Sequence, residues 1–139
     1  MQAGLQVHAD IAEKFSALRM KRAHRFMIVK ISEDGTEAVI DACAERSATF
    51  ADFKAAMPAS EPRYAIYDLE YSTKDGRHES KLVFVMYSPD SCPPGQIRFV
   101  YAQNKETVKN KMSPVHKELQ INDIADLNEA EWIEDFQWA

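Results

Sequence analysis

Hydrophobic and polar positions near the start of the chain follow a helical period. Four apolar residues recur at that spacing: Val7, Ile11, Phe15 and Leu18. The spacing predicts an amphipathic helix over residues 8–19.

The pattern then changes to that of strands. Five runs rich in β-branched, aromatic or alternating apolar residues predict strands: 25–31, 36–42, 63–71, 80–87 and a short one at 116–121. Asp34-Gly35 and Asp75-Gly76 are turn signals that predict connections between neighbouring strands.

Three further helices are predicted from their end signals. Thr49-Phe50-Ala51-Asp52 resembles a capping box and opens a short helix that Pro58 ends. A long helix is expected from about Pro93 to Met112, with Pro93 and Pro94 in its first turn, where a missing N–H group costs nothing. Asn128 is expected to cap a closing acidic helix, EAEWIEDFQW.

The order of these elements predicts a fold class. The strands at 63–71 and 80–87 are nearly continuous in apolar residues, so both of their faces should be covered. Because helices precede, interrupt and follow the strands, the expected fold is α+β, with a central mixed β-sheet sandwiched between helices. No repeat or linker divides the sequence, which predicts a single domain over residues 1–139.

Composition narrows the function classes. The net charge of −5 argues against broad nucleic-acid binding, although a local basic face stays possible. The apolar stretch 82–87 is too short to span a bilayer, which predicts a cytosolic protein with Cys43 and Cys92 as free thiols. The cysteines and the four histidines lack the spacing of a metal site, so no metal is expected.

Motifs for catalysis are scarce. The chain has no glycine-rich phosphate loop and no nucleophile elbow. Asp68 and Glu70 lie on one face of a strand and are interpreted as a polar row at a sheet edge or against a loop rather than as a catalytic pair. The basic run 19–25 is interpreted as a solvated helix end, with a nuclear localisation signal as the alternative.

The long helix carries the most informative pattern. On a helical wheel, five apolar residues form one arc that should face the sheet: Ile97, Val100, Tyr101, Val108 and Met112. Arg98, Lys105 and Lys109 form a basic stripe beside it. Phe99 lies among polar residues on the opposite face, and an exposed aromatic residue flanked by cations is typical of a binding surface. The alternatives are a surface aromatic residue without a function and a ring buried beneath a loop.

Several segments resemble the actin-depolymerising factor/cofilin family. VYAQNKETVKNKM resembles its long-helix signature, YAIYDLEY its third-strand motif and KLVFVMYSPDSCP its strand-to-helix passage. The start, MQAGLQV, and the late segment HKELQ are also similar to family segments. The resemblance implies a protein without enzyme activity or cofactor, expected as a monomer in the cytoplasm and cytoskeleton. It also implies binding to monomeric and filamentous actin, a preference for ADP-actin, and filament severing and depolymerisation.

The resemblance also implies a surface for monomeric actin. It comprises Ala3, Gly4, Leu5, Gln96, Arg98, Phe99, Glu106, Lys109 and Asn110. Phe99 would be an aromatic anchor in the cleft between two actin subdomains, and Arg98 would meet acidic actin groups. Gln96 departs from the family, which often has a basic residue there.

A second implied patch would bind filaments. It comprises Arg77, His78, Glu79, Lys81, Glu134 and Asp135. Glu79 stands where a basic residue is frequent, and the closing helix is acidic, so filament binding is expected to be weaker than in typical members. The aromatic and apolar residues of that helix are expected to pack on the sheet, with a docking role as the alternative: Trp132, Ile133, Phe136 and Trp138.

Regulation is expected from lipids rather than from an N-terminal phosphate. Phosphoinositides are expected to bind a cluster of cations: Arg98, Lys105, Lys109 and Lys111. The family's usual N-terminal serine position matches Ala3, and no Ser or Thr precedes Ser16, so that phosphorylation switch should be absent.

Two other functions are alternatives to actin binding. One is that of a same-fold relative that binds the actin-related nucleation complex and debranches filaments without binding actin. The other is an enzyme that uses Asp68 or the histidines.

Overall fold

A six-stranded mixed sheet forms the centre of the computed structural model, which describes residues 4–137. The strands are β1 (Gln6–Val7), β2 (His24–Ile31), β3 (Glu37–Glu45), β4 (Arg63–Ser72), β5 (His78–Tyr87) and β6 (Lys117–Ile121). The helices are α1 (Ala9–Met20), α2 (Phe50–Ala56), α3 (Gln96–Gln103), α4 (Lys105–Lys109) and α5 (Glu129–Gln137), and a 3₁₀ turn covers Ile124–Asp126.

The sheet has the order β1-β3-β2-β4-β5-β6. The central strands are antiparallel, with Ile28 opposite Ala65 and Ile66 opposite Phe84. The two outermost pairs, β1 with β3 and β5 with β6, are parallel. The expected α+β class with a central mixed sheet is therefore confirmed.

Two hydrophobic cores cover the two faces of the sheet. On one face α1, α3 and α4 bury Ile11, Tyr101 and Val108 against the strands. On the other face α2 and α5 bury Phe53 and Trp132. Since both faces are covered, β4 and the second half of β5 are almost entirely buried, as their apolar runs predicted.

Most helices and strands begin and end close to the positions that short-range sequence signals predicted. Gly35 (φ 75°) and Gly76 (φ 88°) adopt the left-handed conformation that the turns require. The capping box is formed, because the Thr49 side chain accepts from the Asp52 N–H and the Asp52 carboxylate accepts from the Thr49 N–H. The two-residue strand β1 and the 3₁₀ turn were not predicted.

The long helix differs from its prediction. It begins at Gln96, so Pro93 and Pro94 lie outside it rather than in its first turn. Gly95 at φ 145° precedes the first helical residue, and this conformation delays the start of the helix. At Asn104 (φ −100°, ψ 8°) the helix is interrupted, and α4 ends at Lys109 instead of extending to residue 112.

The apolar arc of this helix is also only partly correct. Tyr101, Val108 and Met112 are buried against the sheet and Val100 is half-buried, but Ile97 is 44% exposed. Ile97 lies in the first turn of α3 and lines a cavity of about 610 Å³ together with Ile31 of β2. Its direction on the wheel was right, but there it borders an open cavity instead of the packed core.

Candidate actin-binding surface

The helix surface lies on α3, on α4 and at the C-cap of α4, and is defined as Gln96, Arg98, Phe99, Glu106, Lys109 and Asn110. Tyr101 anchors α3 to the sheet, because its hydroxyl accepts from the Ile31 N–H (2.8 Å) and its carbonyl accepts from the Tyr64 hydroxyl (2.5 Å). The Asn104 side-chain amide donates to the Val100 carbonyl (2.9 Å) at the junction of the two helices. These contacts hold the outer face of both helices in a fixed orientation.

Phe99 is the most exposed aromatic side chain of the described residues, with 64% of its surface accessible. Its neighbour Arg98 is half-buried and has neither an ion pair nor a hydrogen-bonding partner within residues 4–137. An exposed aromatic ring beside a cation without a partner is an arrangement suited to bind a partly acidic protein surface.

The N-terminal part of the implied monomer surface is only partly described. Ala3 lies outside the described residues. Gly4 is exposed, and Leu5 is half-buried against the core on the same face of the sheet as Tyr101 and Val108. The structure thus places Leu5 on the same side of the sheet as α3 and α4.

The basic stripe is less basic than its sequence indicated. Both Lys105 Nζ and Lys109 Nζ lie 2.7 Å from the carboxylate of Glu118 on β6, each on a different oxygen. Hydrogen bonds from the two lysines lower the pKa of Glu118, and the bond to Glu118 raises the pKa of Lys109. Lys111 is exposed and stands apart from this pair, as does Arg98.

Glu118 was missed by the sequence analysis. It is nine residues from Lys109 and on a different element, so helical periodicity could not pair them. The alternation of polar and apolar residues over 118–121 was the available signal, since it places Glu118 on the polar face of β6. The neighbouring Lys117 instead contacts Asp135 of α5 (3.2 Å).

Three of the six predicted filament residues border a second groove, of about 500 Å³. Arg77, Glu79 and Lys81 line it from β5 and the preceding turn, while Phe136 and Gln137 line it from α5. The Gln137 side chain donates to the Ser72 carbonyl (3.0 Å), which joins α5 to the end of β4.

Acidic neighbours neutralise much of this filament patch. Arg77 pairs with Asp75 (3.1 Å) and Glu79 (3.3 Å), and His78 lies 2.8 Å from Glu70. Glu134 is exposed, whereas Asp135 pairs with Lys117.

The expectation that the apolar side of α5 packs on the sheet is confirmed within the described part of the helix. Trp132 is buried, Ile133 is half-buried, and the Phe136 ring stacks on Tyr71 at 6.1 Å between centroids. Trp138 lies outside the described residues.

The prediction that Asp68 and Glu70 form a polar row at a sheet edge or against a loop is wrong about the edge. It is right about the loop, because both side chains contact Arg46 in the turn that follows β3. They lie on β4, in the middle of the sheet, and Asp68 is only 2% exposed. Arg46 contacts both carboxylates, at 2.6 Å from Asp68, and Arg25 lies 2.6 Å from Glu70. The Ser80 hydroxyl also donates to Asp68, so this carboxylate is fully engaged in a structural network.

The basic run 19–25 matches the predicted solvated helix end in its first part only, because Arg19 and Lys21 are exposed at the end of α1. α1 ends at Met20, and Arg25 belongs to β2 with only 16% of its side chain exposed. Arg22, at φ 53°, lies 3.5 Å from Glu70. Arg25 and Arg22 are therefore paired with Glu70, and only the first part of the run is a free basic tract.

Glu70 should make stability depend on pH. Its pKa is raised by burial, but hydrogen bonds from His78 and Arg25 and the charges of Arg25 and Arg46 outweigh this and lower it from 4.5 to about 2. Because the folded pKa lies below the unfolded value, the contribution of Glu70 is fully present above about pH 4.5 and is lost as the pH falls towards 2.

Glu70→Gln is therefore expected to destabilise the protein most at neutral pH, with a difference from the parent that shrinks in acid. Urea unfolding at several pH values between about 5 and 2.5 measures this difference. Glu13→Gln, which makes the same charge change at an exposed position of α1, controls for net charge. A Glu70→Gln difference that stays constant across this range would contradict the assignment.

Neither a metal site nor a membrane span is found in the part of the chain that the structure describes. Within residues 4–137, no three His, Cys, Asp or Glu side chains are grouped so that they could hold a metal ion. No helix in the same range is long and apolar enough to cross a bilayer. Cys43 and Cys92 are both free thiols, as predicted.

Comparison with known proteins gives matches over nearly the whole chain. Residues 4–137 match the model of the cofilin/tropomyosin-type actin-binding protein family. Actin-depolymerizing factor 2 of Petunia hybrida is 35% identical over 125 residues, covering 90% of this chain and 87% of that protein. Actophorin of Acanthamoeba castellanii is 32% identical over 127 residues, covering 91% of each.

A solved structure gives the same result for the fold. The crystal structure of Streptomyces griseoflavus cofilin superimposes with a TM-score of 0.86, covering 95% of this chain and 96% of that one, at 24% identity. With a family match over nearly the whole chain and relatives above 30% identity, this chain belongs to the cofilin/tropomyosin-type family of actin-binding proteins.

Proposed function

We propose that this protein binds monomeric actin through the helix surface and the N-terminal segment, and that it promotes depolymerisation and severing of filaments. Phe99 carries the proposal. It is a large ring held in water on a helix whose opposite side is fixed to the core by Tyr101. Actin-depolymerizing factor 2 and actophorin, which resemble the chain over most of its length, support the choice of actin as the partner.

The contacts would divide between an apolar anchor and charged groups. Phe99 would enter an apolar cleft of actin and lose contact with water, and such central aromatic anchors often dominate binding energy. Arg98 would form a charge-assisted hydrogen bond with an acidic group, at low cost because it has no partner within residues 4–137 to leave. Lys109 already contacts Glu118, so it would contribute less.

Filament binding would be the weaker of the two activities. Arg77 and His78 already contact Asp75, Glu79 and Glu70. These carboxylates would compete with an acidic filament surface for the two side chains. The acidic side chains of α5 would add repulsion, and screening by salt would change this repulsion only modestly at contact distance.

We also propose a preference for ADP-actin, action as a monomer in the cytoplasm, and binding of phosphoinositide headgroups by Arg98, Lys105, Lys109 and Lys111.

The function is tested by two measurements made together. Purified protein is co-sedimented with actin filaments, and its affinity for monomeric ADP-actin and ATP-actin is measured by a fluorescence titration. We expect the protein to bind monomeric actin, more tightly in the ADP-bound form, and to bind filaments more weakly. Absence of both, with capture of the actin-related nucleation complex instead, would favour the same-fold alternative.

Arg98→Ala is expected to reduce affinity for monomeric ADP-actin about tenfold. The loss of one charge-assisted hydrogen bond costs about 1.5 kcal/mol at the lower end of its range, which suits a half-buried side chain. The titration above measures the effect. Lys111→Ala is the matched control, since it removes an exposed cation outside the proposed monomer surface and should change affinity less. Unchanged affinity in folded Arg98→Ala would remove Arg98 from the site.

A further inference from the structure

Lys105 and Lys109 form a pair of cations whose position is set by one carboxylate. They are the first and last residues of α4, four positions apart, so their side chains lie on the same face of the helix. Glu118 reaches this face from β6 and accepts from both ammonium groups, at 2.7 Å each. Its two oxygens are occupied by different lysines, in the way that a phosphate group would be held by the same pair.

The charge of this cluster is balanced internally. Glu106 also lies near both lysines, at 3.5 Å from Lys109 Nζ and 4.0 Å from Lys105 Nζ. Two cations therefore face two carboxylates, and the cluster as a whole presents no net positive charge. An incoming anion would have to compete with Glu118 for hydrogen bonds that are already made.

Glu118 and Glu106 differ in how firmly they hold the lysines. The side chain of Glu118 is 31% exposed and makes two short contacts, whereas that of Glu106 is 65% exposed and makes two long ones. Long contacts between exposed charges contribute little. Glu118 is therefore the group that limits access to the lysine pair.

We propose that Glu118 is an internal competitor for anionic ligands of Lys105 and Lys109, and that it restrains binding of the protein to phosphoinositide-containing membranes. The inference rests on the lipid-binding part of the proposed function. The lipid phosphate would take the place of the Glu118 carboxylate, with no covalent step. Arg98 and Lys111, which have no ion-pair partner within residues 4–137, would supply the remaining attraction.

The test uses the full chain and sedimentation of phosphatidylcholine vesicles with and without phosphatidylinositol bisphosphate, at fixed ionic strength. Glu118→Gln should bind the phosphoinositide vesicles about fivefold more tightly than the parent, the factor expected for one additional effective cation near an anionic membrane. Glu45→Gln makes the same charge change on β3, which lies near the edge of the sheet opposite β6, and should leave binding nearly unchanged.

A double-variant cycle separates local competition from net charge. In a protein that already carries Lys105→Ala and Lys109→Ala, adding Glu118→Gln should no longer strengthen vesicle binding, because the two lysines that pair with Glu118 have been removed. A full fivefold gain in that background would overturn the inference, as would equal binding by the parent and Glu118→Gln when both bind.

The remaining outcomes distinguish the inference from the proposal on which it rests. Binding by Glu118→Gln alone would support the inference, because the parent would then be fully masked. If neither protein prefers phosphoinositide vesicles to phosphatidylcholine vesicles, both the lipid-binding proposal and the inference fail. Actin binding by the same samples shows whether the main function stands independently.

Discussion

Phe99→Ala is expected to weaken binding to monomeric ADP-actin by about 30-fold while leaving the melting temperature almost unchanged. The loss corresponds to about 2 kcal/mol, the lower limit for an aromatic side chain at the centre of a protein interface. The stability of the folded protein should change little, because 64% of the residue's surface is already exposed to water in the free protein. Actin affinity and melting temperature should therefore respond differently to this substitution.

Two matched substitutions make this test decisive. Phe53→Ala removes the same side chain from a position that is fully buried, where the expected cost is about 3–5 kcal/mol of folding free energy. Met20→Ala removes a side chain that is as exposed as Phe99, at 66%, but lies outside the proposed surface. It should affect neither stability nor actin binding. A fall in melting temperature for Phe99→Ala close to that of Phe53→Ala would place Phe99 in the core and contradict the proposal.

The exposure of Phe99 could be predicted because helical periodicity gives the direction of each side chain. The same periodicity placed Tyr101 and Val108 against the sheet, and both are buried. For Ile97 the periodicity gave the right direction but the wrong degree of burial. It does not show whether the packed core or an open cavity lies opposite a given turn. It also carried the helix through Asn104, where only the backbone conformation shows the interruption.

Partners separated along the chain were beyond the reach of sequence patterns. The Thr49–Asp52 capping box was recognisable because its hydrogen bonds span three residues. Arg46 and Asp68 are separated by 22 residues, and they meet only because β2, β3 and β4 are neighbours in the sheet. The strand order was not predicted. For this reason the central position of Asp68 and Glu70 in the sheet was not predicted, and Glu118 was not paired with the lysines of α4.

Arg46 carries the largest stability effect expected from the charged network. Its guanidinium donates to the Asp68 carboxylate (2.6 Å), to Glu70, and to the His24 carbonyl (3.2 Å). Asp68 has only 3% of its side chain exposed, so without Arg46 it would be left with the Ser80 hydroxyl as its side-chain partner. Breaking a buried ion pair by removing one partner leaves an uncompensated charge, which is strongly unfavourable.

Arg46→Ala is accordingly expected to lower the free energy of unfolding by about 3 kcal/mol, near the lower limit for a buried pair because the Arg46 side chain is 26% exposed. In a chain of this length the melting temperature should fall by roughly 10 °C. Thermal and urea unfolding monitored by circular dichroism measure both quantities.

The matched control is Arg77→Ala, which removes the same side chain from exposed pairs with Asp75 and Glu79. Arg77 is 68% exposed, and surface pairs contribute about 0–1 kcal/mol, so this variant should unfold close to the parent. Affinity for monomeric actin should be retained by Arg46→Ala below its melting temperature, because the network lies outside the helix surface. Equal stability of the two variants would mean that Arg46 is not what compensates the buried charge of Asp68, and that Ser80 and the surrounding backbone hold this carboxylate without it.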